Sequence, residues 1–349
     1  MNSAVVAAII AAGVSALTLV VSVAAQIYGI RRTSRDTEKG REEQHEQLDR
    51  TLTEQRTQTM NERFATAADR LGDDKPAAVR LAGVYAMAGL ADDWEKNRQT
   101  CVDVLCAYLR LPYHPDAGDD DAGDDDPGGD ARAKERLKFC EIREVRHTAM
   151  RVIAEHLRDK GVEKQVAARS WQGLNFNFSG VIFDGSTFSH ARFSGPGSVD
   201  FGRAKFSTSD KVSFHHVDFS GGTIKFRHTR FIDGPVEFHD AKFSGGAVSF
   251  HDARFSGGTV DFGRAVFSDG RVSFNDAKFS SGVVSFDGAE FSGGVVSFEG
   301  AEFCGGVVTF RGAIFSGGTV DFSHVADWSR PPKFDWEGTP PVGVTLPAA

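Results

Sequence analysis

The feature that most constrains this chain is a regular spacing of phenylalanine through its C-terminal half. Of its 29 Phe residues, 26 lie between Phe176 and Phe322. From Phe178 to Phe193 they are five residues apart, and from Phe219 onward the spacing alternates between five and seven. The repeating unit is therefore 12 residues long, as in AKFSGGAVSFHD at Ala241–Asp252 and AEFSGGVVSFEG at Ala289–Gly300.

Each half of this unit predicts a short strand with one buried face. A small or β-branched residue precedes each Phe by two positions, as Ala241 precedes Phe243 and Val248 precedes Phe250. Positions two apart in a strand share a face, so both side chains of a pair point the same way. One unit cannot cover its own Phe face, whereas stacked units cover one another. Glycine pairs between the half-units mark turns, so the pattern predicts a parallel β-solenoid with Phe columns inside.

Composition excludes two other classes of protein. A chain of 349 residues with a net charge of −8 is neither a short disulfide-stapled scaffold nor a basic nucleic-acid binder. Residues 116–130 alone contain eight Asp and no basic residue. This run lacks the Glu that ends an EF-hand calcium loop, and like charges mixed with Gly and Pro are typical of disordered loops. The cysteines form no CxxC pair and are interpreted as small buried hydrophobes, at Cys101, Cys106, Cys140 and Cys304.

The N-terminal residues 4–30 contain no charged side chain, and a helix of this length crosses the roughly 30 Å hydrocarbon core of a bilayer. A cleaved signal peptide is the main alternative, but no basic residue precedes the run, although VAA at 23–25 resembles a cleavage site. Basic residues follow the span, which predicts a single-pass plasma-membrane protein with its N-terminus outside and its later domains in the cytoplasm. The span also carries a ridge of small residues, at Ala8, Ala12 and Ala16. Such a ridge lets two membrane spans pack closely, so a homodimer is an open alternative.

The middle of the chain predicts helices. Residues 31–71 have no Pro and are polar on every face at first, which favours a solvated stalk over a coiled coil. Apolar stripes then continue to Leu157, and Trp328 and Trp336 indicate a cap over the end of the solenoid. The prediction is an α+β multidomain chain with a transmembrane helix at 4–30, a polar stalk helix at 31–71, a helical domain with a disordered acidic loop (115–130) at 72–170, a β-solenoid at 171–322, and a cap and tail at 323–349.

The chain contains no recognisable catalytic motif, since GxSxG, a GK[ST] phosphate loop and HExxH are all absent from the sequence. His215, His239 and His251 each follow a repeat Phe, at a position where other units carry Arg, Gly, Asn or an acid. Such a position behaves as solvated surface. Only His215 and His239, one coil apart, fit a metal ladder, and imidazoles alone rarely make a metal site. We therefore predict a protein that is not an enzyme, with no catalytic residue, no cofactor and no metal.

A small residue followed two positions later by Phe, every five residues, resembles the pattern of the pentapeptide-repeat family, most directly at 177–195. The resemblance implies a right-handed quadrilateral β-helix with one pentapeptide per side. The spacing of five and seven then corresponds to a coil of 24 residues, and residues 171–322 to about six coils. The layout also resembles membrane-anchored pentapeptide-repeat proteins of actinobacteria, through ERFATAADRLG at Glu62–Gly72 and RLAGVYAMAGLADDW at Arg80–Trp94.

Two functions of different classes follow from this layout. A rod with a variable polar surface, held at the membrane through 4–30, predicts a scaffold that binds an unidentified protein partner. The alternative comes from the family resemblance, because some soluble members are acidic, DNA-like rods that modulate a type II topoisomerase. Residues 171–322 carry 13 basic and 16 acidic groups, a net charge of only −3. Duplex DNA carries about one charge per 1.7 Å, so the scaffold is favoured and a nucleic-acid partner is not expected.

Overall fold

The computed structural model describes residues 3–115, 129–158, 169–207 and 210–348, without the side chains of residues 3–12, 15–16, 29–38, 40 and 129–132. The chain divides into two compact units, Met1–Glu62 and Arg63–Ala349. Most of the predicted acidic loop at 115–130 lies outside the described residues. The side chains of the predicted small-residue ridge also lie outside the described residues. Only its backbone is described, and it is helical at Ala8, Ala12 and Ala16.

The first helix, α1 (Ser3–Arg70), contains both the uncharged run and the polar stretch that follows it. Side chains at 41–59 are all exposed, including Leu48 and Leu52, as expected for a solvated helix. Over the part of the chain that the structure describes, no helix combines the length and the apolar composition that a bilayer crossing requires. The predicted transmembrane helix at 4–30 is therefore not confirmed.

A small helical domain precedes the solenoid, as predicted. It contains α2 (Ala77–Asp93), a 3₁₀ turn (Glu95–Asn97), α3 (Arg98–Leu109) and α4 (Gly129–Leu157). Pro76, with φ −56°, stands immediately before α2, where its missing N–H costs nothing. The helices bury one apolar core between them, which includes Val84, Met87, Leu90, Leu105, Val145, Ile153 and Leu157.

Two of the four cysteines belong to this core. Cys101 and Cys106 are both buried on α3, and burial raises the pKa of Cys101 to about 11 and that of Cys106 to about 12. Cys140 on α4 is exposed, and Cys304 is half-buried. The interpretation as buried hydrophobes is thus right for the α3 pair and wrong for Cys140, because Cys140 lies on the solvent side of its helix.

The C-terminal part of the chain is a parallel β-solenoid with four short strand segments in each turn. We number its faces in chain order. The first face contains Ile182–Phe183, Lys205–Phe206, Arg230–Phe231 and Glu302–Phe303. The second face contains Ser186–Thr187, Val212–Ser213, Pro235–Glu237 and Val307–Thr309. Two longer strands continue around the corner and belong to both of these faces: Arg254–Asp261 and Lys278–Ser285.

The remaining strands form the third and fourth faces. The third contains Asp218–Phe219, Lys242–Phe243, Val266–Phe267, Glu290–Phe291 and Ile314–Phe315. The fourth face has eight strands, which correspond to about seven turns. Seven of these strands lie within 171–322, in agreement with the predicted six coils, and the eighth lies in the predicted cap: Phe176–Asn177, Ser198–Asp200, Thr223–Lys225, Ala247–Ser249, Arg271–Ser273, Val295–Ser297, Thr319–Asp321 and Val344–Thr345.

The phenylalanine rings form four stacked columns inside the solenoid, as predicted. Stacked rings in successive turns have centroids 4.5 to 5.5 Å apart, and Ala241 and Val248 point inward beside their Phe partners. The columns are 183, 206, 231, 255, 279, 303; 188, 214, 238, 262, 286, 310; 193, 219, 243, 267, 291, 315; and 178, 201, 226, 250, 274, 298, 322.

Both ends of the columns are covered. At the first turn, Trp171 is fully buried, stacks on His156 at 4.1 Å and donates its Nε1–H to Asp92 Oδ1 at 3.2 Å. At the last turns, Trp328 packs edge-on against Phe303, and other aromatic rings continue the stack. These contacts shield terminal rings and strand edges from water.

Candidate functional site

Outward positions of the solenoid are stacked in register, so residues from successive turns form columns on its surface. Strands pair in parallel with partners one turn away, as Lys242 pairs with Val266 and Val248 with Val272. Neighbouring strands lie about 4.8 Å apart. The candidate functional residues are therefore those that stacking brings together, and two groups qualify.

The first group is a column of four cations on the first face, which we name the basic column: Lys205, Arg230, Arg254 and Lys278. Arg230 pairs in register with Lys205 on one side and Arg254 on the other. Lys278 pairs in register with Arg254, and all four side chains are exposed. The column ends where Glu302 follows Lys278 in register and forms an ion pair with it.

The first three cations of the basic column, Lys205, Arg230 and Arg254, form no ion pair with any residue that the structure describes. A depression of about 470 Å³ lies between them and Arg203, His228 and Asp252. Asp252 is the one acid among these lining residues. Its carboxylate lies 3.4 Å from His228 Nδ1 and 3.1 Å from His251 Nε2 and forms no ion pair with a cation of the column. Within the described faces, the longest column of like charge is thus basic.

The second group lies at the corner between the second and third faces. We name it the histidine corner, and it consists of His190, His215, His216, His239 and Asp240. The ring centroids of His215 and His216 are 4.0 Å apart, and His216 Nε2 lies 3.9 Å from Asp240 Oδ2. Potential ligand atoms of His215, His216 and Asp240 all lie within 4.8 Å of one another.

Backbone hydrogen bonds between turns hold the histidine corner. The amide of His190 donates to the carbonyl of His215 at 2.9 Å, and the amide of His216 donates to the carbonyl of His239 at 3.0 Å. His215 Nδ1 lies 3.1 Å from the same His239 carbonyl. Because a carbonyl only accepts, this ring nitrogen carries a proton, and in the neutral tautomer the lone pair of His215 is on Nε2.

The electrostatics of the corner favour a neutral His216 beside an ionised Asp240. Partial burial and the neighbouring His215 ring hold the pKa of His216 below its usual 6.5. Burial acts to raise the pKa of Asp240, but hydrogen bonds from Arg264, at 3.0 and 2.9 Å, outweigh it and hold this pKa below 3.8. Neutral imidazoles and an ionised carboxylate are the forms that bind metal ions.

The structure brings together the two histidines that the sequence singled out. The rings of His215 and His239 stack one turn apart with centroids at 5.6 Å. Sequence reasoning missed His216 and Asp240, although these are also one 24-residue turn apart and each directly follows one of the predicted pair. His251, the third histidine considered, lies at the opposite corner, between the fourth and first faces, beside His228.

A third polar cluster joins the helical domain to the solenoid. The carboxylate of Asp184 is buried in the first turn. It accepts hydrogen bonds from Tyr113 Oη and from Arg143 Nε (3.1 Å), and its Oδ1 lies 3.0 Å from His147 Nε2. Burial acts to raise the pKa of Asp184, but these partners hold it below 3.8. Both oxygens of this carboxylate are thus engaged in joining Tyr113 and α4 to the solenoid, which indicates a structural role.

These features define the class of protein: a parallel β-solenoid repeat protein with a helical domain on its first turn. Residues 281–326 match the family model described as Pentapeptide repeats (9 copies), so this part of the solenoid is similar to the pentapeptide-repeat family. The match supports the family resemblance that the Phe spacing indicates. No curated protein and no solved structure matches the chain.

Proposed function

We propose that this chain is a non-catalytic scaffold whose β-solenoid binds an acidic segment of a partner protein through the basic column. The observation that carries the proposal is the stacking of Lys205, Arg230, Arg254 and Lys278 in four successive turns. Like charges stacked this closely repel one another, and a complementary anionic surface relieves that repulsion. The rings beneath the column are close-packed, so the backbone positions from which the four side chains extend are fixed.

The spacing of the basic column favours a helical partner segment. The column repeats about every 4.8 Å, and acidic side chains one helical turn apart repeat about every 5.4 Å. Because the two repeats differ so little, each acidic side chain in a row of four stays within reach of one long, flexible Lys or Arg side chain of the column. An extended strand presents same-face side chains every 6.6 Å or so, which matches less well. The proposed ligand is therefore a helix with Glu or Asp along one face.

A charge-reversal experiment tests this proposal. The probe is a fluorescent helical peptide with Glu at every fourth position on one face, and its isomer carries the same residues with Glu spread over all faces. We expect the striped peptide to bind at least tenfold more tightly than the isomer at low salt, measured by fluorescence anisotropy. The double variant Arg230→Glu/Arg254→Glu removes that preference.

A matched control is Lys242→Glu/Arg271→Glu, which reverses two exposed cations on the third and fourth faces and changes the net charge equally. We expect it to bind the striped peptide like the unmodified chain. Equal affinity for both peptides, or equal loss in both double variants, would show only general charge attraction and overturn the proposal. Tighter binding to duplex DNA than to the striped peptide would overturn a protein ligand in favour of nucleic acid.

We also infer that residues 4–30 tether the scaffold to the plasma membrane, with the N-terminus outside and the solenoid in the cytoplasm. The uncharged run supports this inference, as does the exposure of large apolar side chains on α1, where Leu17, Leu19 and Val20 are 67, 68 and 64% exposed. The basic residues that follow the run favour the stated orientation.

Membrane fractionation tests the tether. We expect the full chain to stay in the membrane pellet after carbonate extraction, and a chain lacking residues 1–30 to be released. A C-terminal tag should be digested by protease in inside-out vesicles and protected in right-side-out vesicles. Release of the full chain by carbonate, or digestion in right-side-out vesicles, would contradict the tether or its orientation without bearing on peptide binding.

A further inference from the structure

The histidine corner has the composition and geometry of a transition-metal site. Two imidazoles and a carboxylate, from His215, His216 and Asp240, have ligand atoms within 4.8 Å of one another. In a tetrahedral zinc site, ligands at about 2.0–2.2 Å from the metal are separated by roughly 3.3–3.6 Å. The distance of 3.9 Å between His216 Nε2 and Asp240 Oδ2 is close to this separation, and the other pairs, which lie within 4.8 Å, reach it by side-chain rotation.

A further side chain is placed for the fourth position. His239 Nε2 lies 3.5 Å from Asp240 Oδ2, and its ring stacks on that of His215. The other ring nitrogen of His239, Nδ1, is buried, lies 3.5 Å from Asp261 Oδ2 and makes no hydrogen bond with any described residue. His239 is therefore the nearest candidate for a fourth ligand, and solvent takes that position otherwise.

The surroundings of the corner match those of metal ligands. Metal-binding histidines usually donate their second ring N–H to a carbonyl or carboxylate, which fixes the tautomer. His215 does this through Nδ1 to the carbonyl of His239. Asp240 is oriented by two guanidinium nitrogens of Arg264, Nε and Nη2, and a carboxylate has about four lone-pair sites, so it retains room for a metal bond. The positive charge of Arg264 lowers the expected affinity.

The alternative explanation is that these side chains form ordinary solvated surface. The opposite corner gives an internal comparison, because it also carries His228, His251, Asp252 and Asp276. Within the described residues, only the histidine corner brings three ligand atoms of different residues within 4.8 Å. At the opposite corner the rings of His228 and His251 are 6.2 Å apart, compared with 4.0 Å for His215 and His216.

We propose that the histidine corner binds one divalent transition-metal ion of the zinc class through His215, His216 and Asp240. The ligands come from two successive turns, so the ion cross-links them at the corner between the second and third faces. Nitrogen and carboxylate ligands suit Zn²⁺, Co²⁺ and Ni²⁺, whereas Ca²⁺ requires six or more oxygen ligands. This site is independent of the basic column, which lies on the first face.

Calorimetric titration of the untagged full chain, after EDTA treatment, tests the proposal with ZnCl₂ as the probe. We expect one Zn²⁺ per chain, no binding of CaCl₂, and the visible absorption of tetrahedral Co²⁺ when CoCl₂ replaces zinc. His216→Asn should weaken Zn²⁺ binding at least tenfold. Asn is chosen because His216 has φ +54°, a left-handed conformation that Asn tolerates.

The matched control is His228→Asn at the opposite corner, where φ is +58°. It also removes one histidine from a left-handed position, and we expect unchanged Zn²⁺ affinity. Thermal unfolding provides a second readout, because Zn²⁺ should raise the Tm of the unmodified chain and of His228→Asn but not that of His216→Asn. No zinc-dependent heat in the unmodified chain, or equal weakening by both variants, would overturn the proposal.

Discussion

At the scale of single residues, the rings inside the columns make up most of the large side chains buried in the solenoid. Phe250 is fully buried, and its ring stacks between Phe226 and Phe274 with centroids 4.7 Å away on each side. Phe250→Ala should therefore lower the free energy of unfolding by about 3–5 kcal/mol, because the cavity is enclosed by neighbouring turns. Urea unfolding followed by circular dichroism measures this loss.

Phe315 is the control for this prediction, because it lies in the last position of its column and is half-buried. Phe315→Ala should cost less, about 2 kcal/mol, since part of the ring already meets water. Equal losses at Phe250 and Phe315 would show that enclosure between turns contributes nothing beyond ring burial.

Two glycines with the same backbone angle separate conformational strain from steric clash. Gly246 and Gly312 both have φ +64°. A Cβ on Gly246 would lie 2.2 Å from the carbonyl oxygen of Gly222 in the preceding turn, whereas a Cβ on Gly312 would meet no atom closer than 3.9 Å. Gly312→Ala should cost about 1–2 kcal/mol from the left-handed conformation alone.

Gly246→Ala should cost about 1–3 kcal/mol more than Gly312→Ala, because the backbone of two turns must separate. Differential scanning calorimetry of both variants measures the difference. If the two substitutions lower Tm equally, the close approach of successive turns at Gly246 does not limit the side chain there.

At the scale of elements, the junction between α4 and the first turn depends on the buried carboxylate of Asp184. Its pKa is lowered in the folded chain, so the ionised form stabilises the fold at pH values above its usual pKa of 3.8. This contribution is lost as the pH falls through the lowered folded value. Asp184→Asn should cost about 3 kcal/mol at pH 7, because Arg143 and His147 lose their buried partner.

Urea unfolding between pH 2 and pH 7 checks this prediction. The difference in stability between the unmodified chain and Asp184→Asn should shrink as the pH falls below about 4. Asp233→Asn, at an exposed turn, controls for the loss of one negative charge. A difference that stays constant down to pH 2 would contradict the role of the ionised carboxylate.

At the scale of the whole molecule, the segment after Phe322 closes the solenoid. Phe334 stacks on Phe310 at 5.2 Å and Trp336 stacks on Phe334 at 4.2 Å, while Val344 pairs with Val320 as the last rung of the fourth face. Deleting residues 326–349 should cost about 3 kcal/mol or more in lost burial. At about 2–4 °C per kcal/mol for a chain of this size, Tm should fall by about 6–12 °C.

The truncated chain should also self-associate, because unpaired strands and apolar rings become exposed. Light scattering coupled to gel filtration measures this association. The control ends at residue 345, so it keeps the last strand and loses only the segment after it. If both truncations behave like the full chain, the segment after Phe322 is not a cap.

Local patterns predicted the parts of this protein that depend on short-range alternation. The unit of Ala241–Asp252 indicated which side chains point inward, and Phe243 and Phe250 are buried as expected. The grouping of surface residues was less accessible, because it depends on the register between turns. Paired residues of successive turns are 24 positions apart in the sequence at Lys242 and Val266 but 26 positions apart at Ser186 and Val212. The irregular first turns therefore cannot be aligned by counting residues.

By itself, the sequence determined that the C-terminal half stacks Phe-lined turns behind a polar surface, because alternation along a strand is a local property of the chain. Only the tertiary structure decided which polar residues meet: four cations on the first face, two histidines and an aspartate at one corner, and Asp184 against α4. The physical reason is that burying apolar rings sets the register of the turns, and outward side chains, which contribute little to that burial, are placed together as a consequence.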